Sequence, residues 1–118
     1  MLLCASRELI LVIFKNEKKN KIFCRKSLIF YEVYNVIQSR KKEQPEGSYV
    51  ATLFDKGLDK ILKKVGEEAV ELIIEAKDNN DDLFLNEAAD LIYHLLVLFS
   101  AKGFKLEDVT KVLKSRHG

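Results

Sequence analysis

The sequence has no tryptophan, one methionine and a single proline, Pro45, and its five glycines are thinly spread. So little chain punctuation argues against many short strands joined by tight turns and suits long helices. Two cysteines, Cys4 and Cys24, cannot complete a four-ligand zinc site by themselves and read as free thiols of a reducing compartment. Long hydrophobic runs are also missing. Residues 9–14 and 91–101 both fall short of the ~20 residues that a membrane span requires. Residues 1–14 make a poor signal peptide, because Arg7 and Glu8 interrupt the apolar stretch and no small-residue cleavage site follows. No repeat or low-complexity tract stands out.

What is there suits one domain. The chain has 118 residues, 47% of them hydrophobic and 32% charged, which is too apolar for a disordered polymer. A net charge of +2 hides an asymmetry. Residues 1–42 hold 10 Lys/Arg against 3 Asp/Glu, leaving 10 Lys/Arg against 15 Asp/Glu in residues 43–118. Acid concentrated in the better-patterned part disfavours a nucleic-acid-binding face and points to a small acidic site.

Residues 1–26 read as an N-terminal extension of unassigned role, separate from a helical domain over 27–118. Two short apolar runs, 9–14 and 22–24, flank a basic stretch and allow a β-hairpin or a loose tail. From Ser27 the pattern turns helical, with Ile29, Val33, Val36 and Ile37 on one face and Arg40, Lys41 and Lys42 at the C-terminal end. Residues 43–47 form a loop, Ser48 caps a short helix to Lys56, and Gly57 interrupts the chain. The strongest helix covers 58–77, where Leu58, Ile61, Leu62, Val65, Ala69, Leu72, Ile73 and Ala76 share a face. After a turn at 78–81, with Asp81 or Asp82 as N-cap, a helix covers 83–101, and a last one covers 106–115.

The chemistry lies on the two long helices. At about 100° per residue, Glu67, Glu68, Glu71 and Glu75 fall on one stripe beside the apolar face, and Lys60 and Lys64 extend it toward the N-terminus. On the following helix Glu87, Asp90 and His94 share a face. In an antiparallel hairpin Glu71 and Glu87 lie at one level, as do Glu68 and Asp90. Carboxylates so close repel strongly, and divalent cations remove that cost. All-oxygen ligands select Mg²⁺, with Mn²⁺ as the alternative, over zinc or copper. Glu75 is a weaker candidate, being nearest the turn. His94 reads either as a core histidine or as a partner of Asp90 one turn away. The plain alternative for the whole stripe is a solvated acidic surface. The helix over 83–101 is apolar nearly all round, which predicts burial against a second subunit, in a homodimer or higher homo-oligomer.

The segments SYVATLFDKGLDKILKKVGEEAVE (48–71) and EAADLIYHLLVL (87–98) resemble phosphoribosyl-ATP pyrophosphohydrolase of histidine biosynthesis, over about residues 28–117. The acidic motifs alone would indicate only the wider MazG-type nucleotide pyrophosphohydrolases. The expectation of a cytoplasmic protein with no nucleic-acid or membrane partner comes from the cysteine usage, the charge distribution and the short apolar runs. The resemblance implies an all-α, MazG-like helical bundle completed by dimerisation. Its implied reaction is Mg²⁺-dependent hydrolysis of phosphoribosyl-ATP to phosphoribosyl-AMP and pyrophosphate. Its implied metal ligands map onto Glu67, Glu68, Glu71, Glu87 and Asp90. Glu68 or Glu71 can serve as general base, and Lys60 and Lys64 can hold substrate phosphates. Nothing in the chain looks like the zinc motif of the cyclohydrolase domain to which many relatives are fused. Other readings are a housecleaning (d)NTP pyrophosphohydrolase of the same fold, a non-catalytic dimerisation module and a ferritin-like di-iron bundle. The last needs Glu-x-x-His pairs that these helices do not carry.

Overall fold

Residues 28–117 are described by a computed structural model of the chain. The expectations for 9–14, 22–24, Cys4 and Cys24 lie outside the described residues. Among the described residues the structure is all-α: five helices and no strand. They are α1 (Leu28–Glu43), α2 (Tyr49–Lys56), α3 (Leu58–Ala76), α4 (Asp81–Ala101) and α5 (Leu106–His117). The chain divides into two compact units, residues 1–33 and 34–118. The second unit contains every acidic residue singled out above.

Each helix end has a local cause. Ser48 Oγ accepts the Ala51 N–H at 3.3 Å and starts α2. Gly57 ends α2 and starts α3 at φ 93°, ψ 177°, a conformation open essentially to glycine alone. Its N–H donates to the Leu53 and Phe54 carbonyls, both at 3.2 Å. The sequence pattern pointed to Asp81 or Asp82 as the cap of α4. The cap is Asn80, whose Oδ1 accepts the Leu83 N–H at 3.2 Å. Asn80 has the extended backbone a cap requires, and the two aspartates instead fill the first turn, where the helix dipole favours acid.

Within the second unit, α3 and α4 form an antiparallel hairpin that is the dominant helix pairing. A polar chain fastens the C-terminal part of α1 to the end of α4. The Tyr34 hydroxyl donates to the Phe104 carbonyl at 2.6 Å, and Gln38 Nε2 donates to the Tyr34 oxygen at 2.7 Å. The Ser100 hydroxyl donates to Gln38 Oε1 at 2.8 Å, and Lys41 Nζ donates to the Ser100 carbonyl at the same distance. Ser100 is fully buried, so these bonds satisfy groups that water cannot reach. Ile37, Ile61 and Val97 are the fully buried apolar side chains of this unit.

The apolar stripe of α3 is only partly covered. Ile61 is buried, while Leu58, Leu62 and Ile73 of the stripe are exposed, as are Val70 and Ile74 off it. Near the start of α4, Leu83, Phe84 and Leu85 are exposed too. Burial resumes at His94, Leu96, Val97 and Ser100. The sequence reading weighed only 91–101 of this helix as a membrane-span candidate, although it took 83–101 as apolar nearly all round. With its first half included, α4 is, among the described residues, the one helix long and apolar enough to cross a membrane. Glu87, Asp90 and His94 on its length, together with its pairing to α3, suit a helix packed against protein instead.

Candidate metal centre

Glu68 stands near the middle of α3, and it is buried to 5% exposure despite its charge. Burial pushes its carboxyl up. The Lys64 ammonium, 3.1 Å away, outweighs that effect and holds it below the ordinary glutamate value. Lys64 lies one turn earlier on the same helix, so the i, i+4 spacing supplies the contact directly. Lys64 also reaches Glu67 at 3.4 Å.

One turn beyond Glu68, Glu71 faces Glu87 of α4. One carboxylate oxygen from each of Glu68, Glu71 and Glu87 can be chosen so that all three lie within 4.8 Å of one another. Two helices thus bring three carboxylates to one point, and the Glu71–Glu87 level expected from equal distances to the turn is the level observed. The Glu87 carboxyl is pushed up to about 7. Its partial burial is the largest cause, followed by a hydrogen bond shared with Glu71 and the charges of Glu71, Glu68 and Asp90.

Whether these residues fit a cation is tested by their unfilled valences. Glu68 Oε2 and Glu87 Oε2 are shielded from solvent and have no hydrogen-bond partner. Glu75 Oε2, one turn past Glu71, is in the same condition. Buried carboxylate oxygens without donors are rare and call for an electropositive partner. The donor set is all oxygen, which suits a hard divalent ion. The cluster fits a metal.

Not every acidic residue joins the three. Glu67 is drawn toward Lys64, and its side chain is largely exposed. Asp90 is exposed and stands outside the trio, although its charge acts on both Glu87 and Tyr49. Lys60, a turn before Lys64, is half-buried and has no ion pair among the described residues.

His94 is buried, and both ring nitrogens are used. Nδ1 lies 2.7 Å from the Asp90 backbone carbonyl, which can only accept, so Nδ1 carries the proton. In the tautomer with its proton on Nδ1, Nε2 is the acceptor of the Tyr49 hydroxyl at 2.8 Å. This arrangement leaves neither nitrogen for a metal and removes the di-iron reading.

Tyr49 is the residue that sequence reasoning missed. Its ring lies edge-on to His94, with centroids 5.9 Å apart. Burial raises its hydroxyl pKa most. Lys64 opposes that rise, while the charges of Glu68, Asp90 and Glu67 add to it. Those interactions put the phenol beside the acidic centre. The available signal was its position directly after the Ser48 cap, in the SYVATL segment.

Known proteins support the same region. The chain matches the family described as phosphoribosyl-ATP pyrophosphohydrolase over residues 30–117. It is 53% identical over 92 residues to a phosphoribosyl-ATP pyrophosphatase of Clostridium acetobutylicum, covering 78% of this chain and 84% of that one. A phosphoribosyl-ATP pyrophosphatase of Listeria innocua is 54% identical over 87 residues, or 74% of this chain and 84% of the relative. A histidine biosynthesis bifunctional protein of Bacillus subtilis is 54% identical over 89 residues, which is 75% of this chain but 43% of the longer relative. With a match that spans α2 through α5 and includes the carboxylates of α3 and α4, the chain belongs to the phosphoribosyl-ATP pyrophosphohydrolase family, of the MazG-like all-α superfamily.

Proposed function

We infer that the chain hydrolyses phosphoribosyl-ATP to phosphoribosyl-AMP and pyrophosphate in histidine biosynthesis. The observation that carries this reading is the trio Glu68, Glu71 and Glu87, with its unpartnered buried oxygens, in a chain of this family. Glu68, Glu71 and Glu87 would hold Mg²⁺, or Mn²⁺ in its place, with Glu67 and Asp90 adding ligands when substrate is bound. The ion would neutralise charge on the pyrophosphate leaving group and acidify water.

The chain's own residues do the rest. Lys64 keeps Glu68 ionised, so the most buried carboxylate is ready to bind. Glu71 is more exposed than Glu68 and shares a hydrogen bond with Glu87. Either Glu68 or Glu71 accepts the proton of the attacking water, and Glu71 is better reached by solvent. Lys60 lies about 6 Å further along the helix axis than Lys64, at ~1.5 Å per residue, and extends the cationic reach toward the phosphate chain. Lys64 adds its charge to the same chain. His94 serves behind the site by holding Tyr49 and the Asp90 backbone.

The exposed apolar residues of α3 and of the first half of α4 support a homodimer, or a higher homo-oligomer, as the working form. The 27–118 region is the helical enzyme domain, with 1–26 as an extension outside catalysis. A cytoplasmic location suits a phosphorylated metabolite.

The test is a pyrophosphate-release assay on phosphoribosyl-ATP, dATP and dCTP, with and without Mg²⁺. The expected result is release from phosphoribosyl-ATP alone, abolished by chelator. Preference for the free nucleotides would make the chain a housecleaning enzyme, and no metal-dependent release or stabilisation would leave a helical dimerisation module.

A further inference from the structure

We propose that Tyr49 is a substrate-binding residue, its phenolic oxygen accepting a hydrogen bond from a ribose hydroxyl of the nucleotide, with His94 as the residue that positions it. The proposal rests on phosphoribosyl-ATP being the substrate. Tyr49 is 51% exposed, yet its hydroxyl is not free to wander. The buried His94 ring takes its proton at 2.8 Å. His94 is itself fixed by the Asp90 carbonyl at 2.7 Å and by two edge-on rings, Tyr49 and Tyr93, with centroids 5.9 and 5.5 Å away. An exposed side chain held this firmly is organised for something outside the chain.

The direction of the hydrogen bond says what that something offers. With its proton committed to His94 Nε2, the phenolic oxygen presents only lone pairs outward. It therefore needs a donor. Phosphate oxygens at neutral pH are acceptors, so the triphosphate does not satisfy it. Reading outward from the α-phosphate, the first donors on a nucleotide are the hydroxyls of its ribose. Tyr49 borders the acidic centre, where the electrostatic influence of Lys64, Glu68, Asp90 and Glu67 all reaches it. With the phosphates at the carboxylates, the adjoining sugar would lie toward this phenol. The same link ties α2 to α4 through the His94 ring and the Asp90 backbone carbonyl.

Kinetics on the full chain test this. Tyr49→Phe keeps the ring and removes the acceptor, and a lost neutral hydrogen bond predicts a KM for phosphoribosyl-ATP raised about three- to tenfold. kcat and the Mg²⁺ affinity measured without substrate stay within about twofold, a split expected of a lost binding contact. The penalty disappears on one of two analogues lacking the 2′- or the 3′-hydroxyl of the adenosine ribose. His94→Gln raises KM similarly in the wild-type background and adds little to Tyr49→Phe. An unchanged KM in Tyr49→Phe, or an equal penalty on the parent and both deoxy analogues, overturns the assignment. If the wild-type chain itself releases no pyrophosphate from phosphoribosyl-ATP, the substrate reading falls and this proposal with it. An active wild type with an indifferent Tyr49→Phe removes only the proposal.

Discussion

If Glu87 is a metal ligand as proposed, metal binding should depend on pH in a window where an ordinary glutamate would be silent. Its carboxyl is pushed up to about 7 by partial burial and by sharing its site with Glu71 and Glu68. A metal takes only the ionised form, so apparent affinity is lowered by the fraction still protonated. For a group titrating near 7 that factor is about 2 at pH 7 and about 11 at pH 6. For a group titrating at 4.5 it is about 1.03 at pH 6, which no titration would detect. Mg²⁺ affinity should therefore fall roughly tenfold between pH 8 and pH 6, with about half a proton released per ion bound at pH 7. Calorimetry in buffers of different ionisation enthalpy at constant ionic strength measures both quantities. Glu87→Gln should bind more weakly at pH 8 and lose most of the slope. The stability of the metal-free protein follows the same group. Between about 4.5 and 7 the folded chain keeps a proton that the unfolded chain has released, so this contribution is present below 4.5 and lost as pH rises through 7. Glu87→Gln should thus gain in Tm relative to wild type on going from pH 5 to pH 8. A Mg²⁺ affinity that is flat from pH 6 to 8, or a slope that survives in Glu87→Gln, would refute the reasoning.

Glu68→Gln and Asp90→Asn should each leave the chain folded and cut turnover by more than the roughly 10- to 100-fold typical of losing an outer partner of a metal ligand; near-normal rates at saturating Mg²⁺ would remove that residue from the ligand set. Lys64→Ala should raise the KM for phosphoribosyl-ATP. It should also destabilise the metal-free chain by about 1–3 kcal/mol, because it strands the buried Glu68 charge, and denaturant titration checks that. Gly57→Ala should cost about 1–3 kcal/mol from backbone strain alone, since an added Cβ would meet no atom within 4 Å, and thermal unfolding reads it as a loss of several degrees. A chain beginning at Ser27 should fold and hydrolyse substrate at the full-length rate; a folded but inactive truncation would assign residues 1–26 to the site.

The sequence by itself determined the helices and the face that carries the acid. Few breakers, the Ser48 cap, Gly57 and the 3.6-residue period leave little freedom in where α2, α3 and α4 run, because each of these is a short-range property of neighbouring residues. Equal distances from the turn were enough to place Glu71 opposite Glu87, since an antiparallel hairpin has only one register at a given turn. Tertiary structure decided the finer membership of the site. The period could not say that Glu68, Glu71 and Glu87 converge while Glu67 turns to Lys64 and Asp90 stays outside the trio, because that depends on side-chain length and on which charge is nearest in space. Nor could it connect Tyr49 to His94, 45 residues apart, a contact that exists only because α2 folds back on α4. The cap of α4 shifted from the aspartates to Asn80 for a similar reason: several adjacent residues can cap, and the backbone angle of the turn selects one.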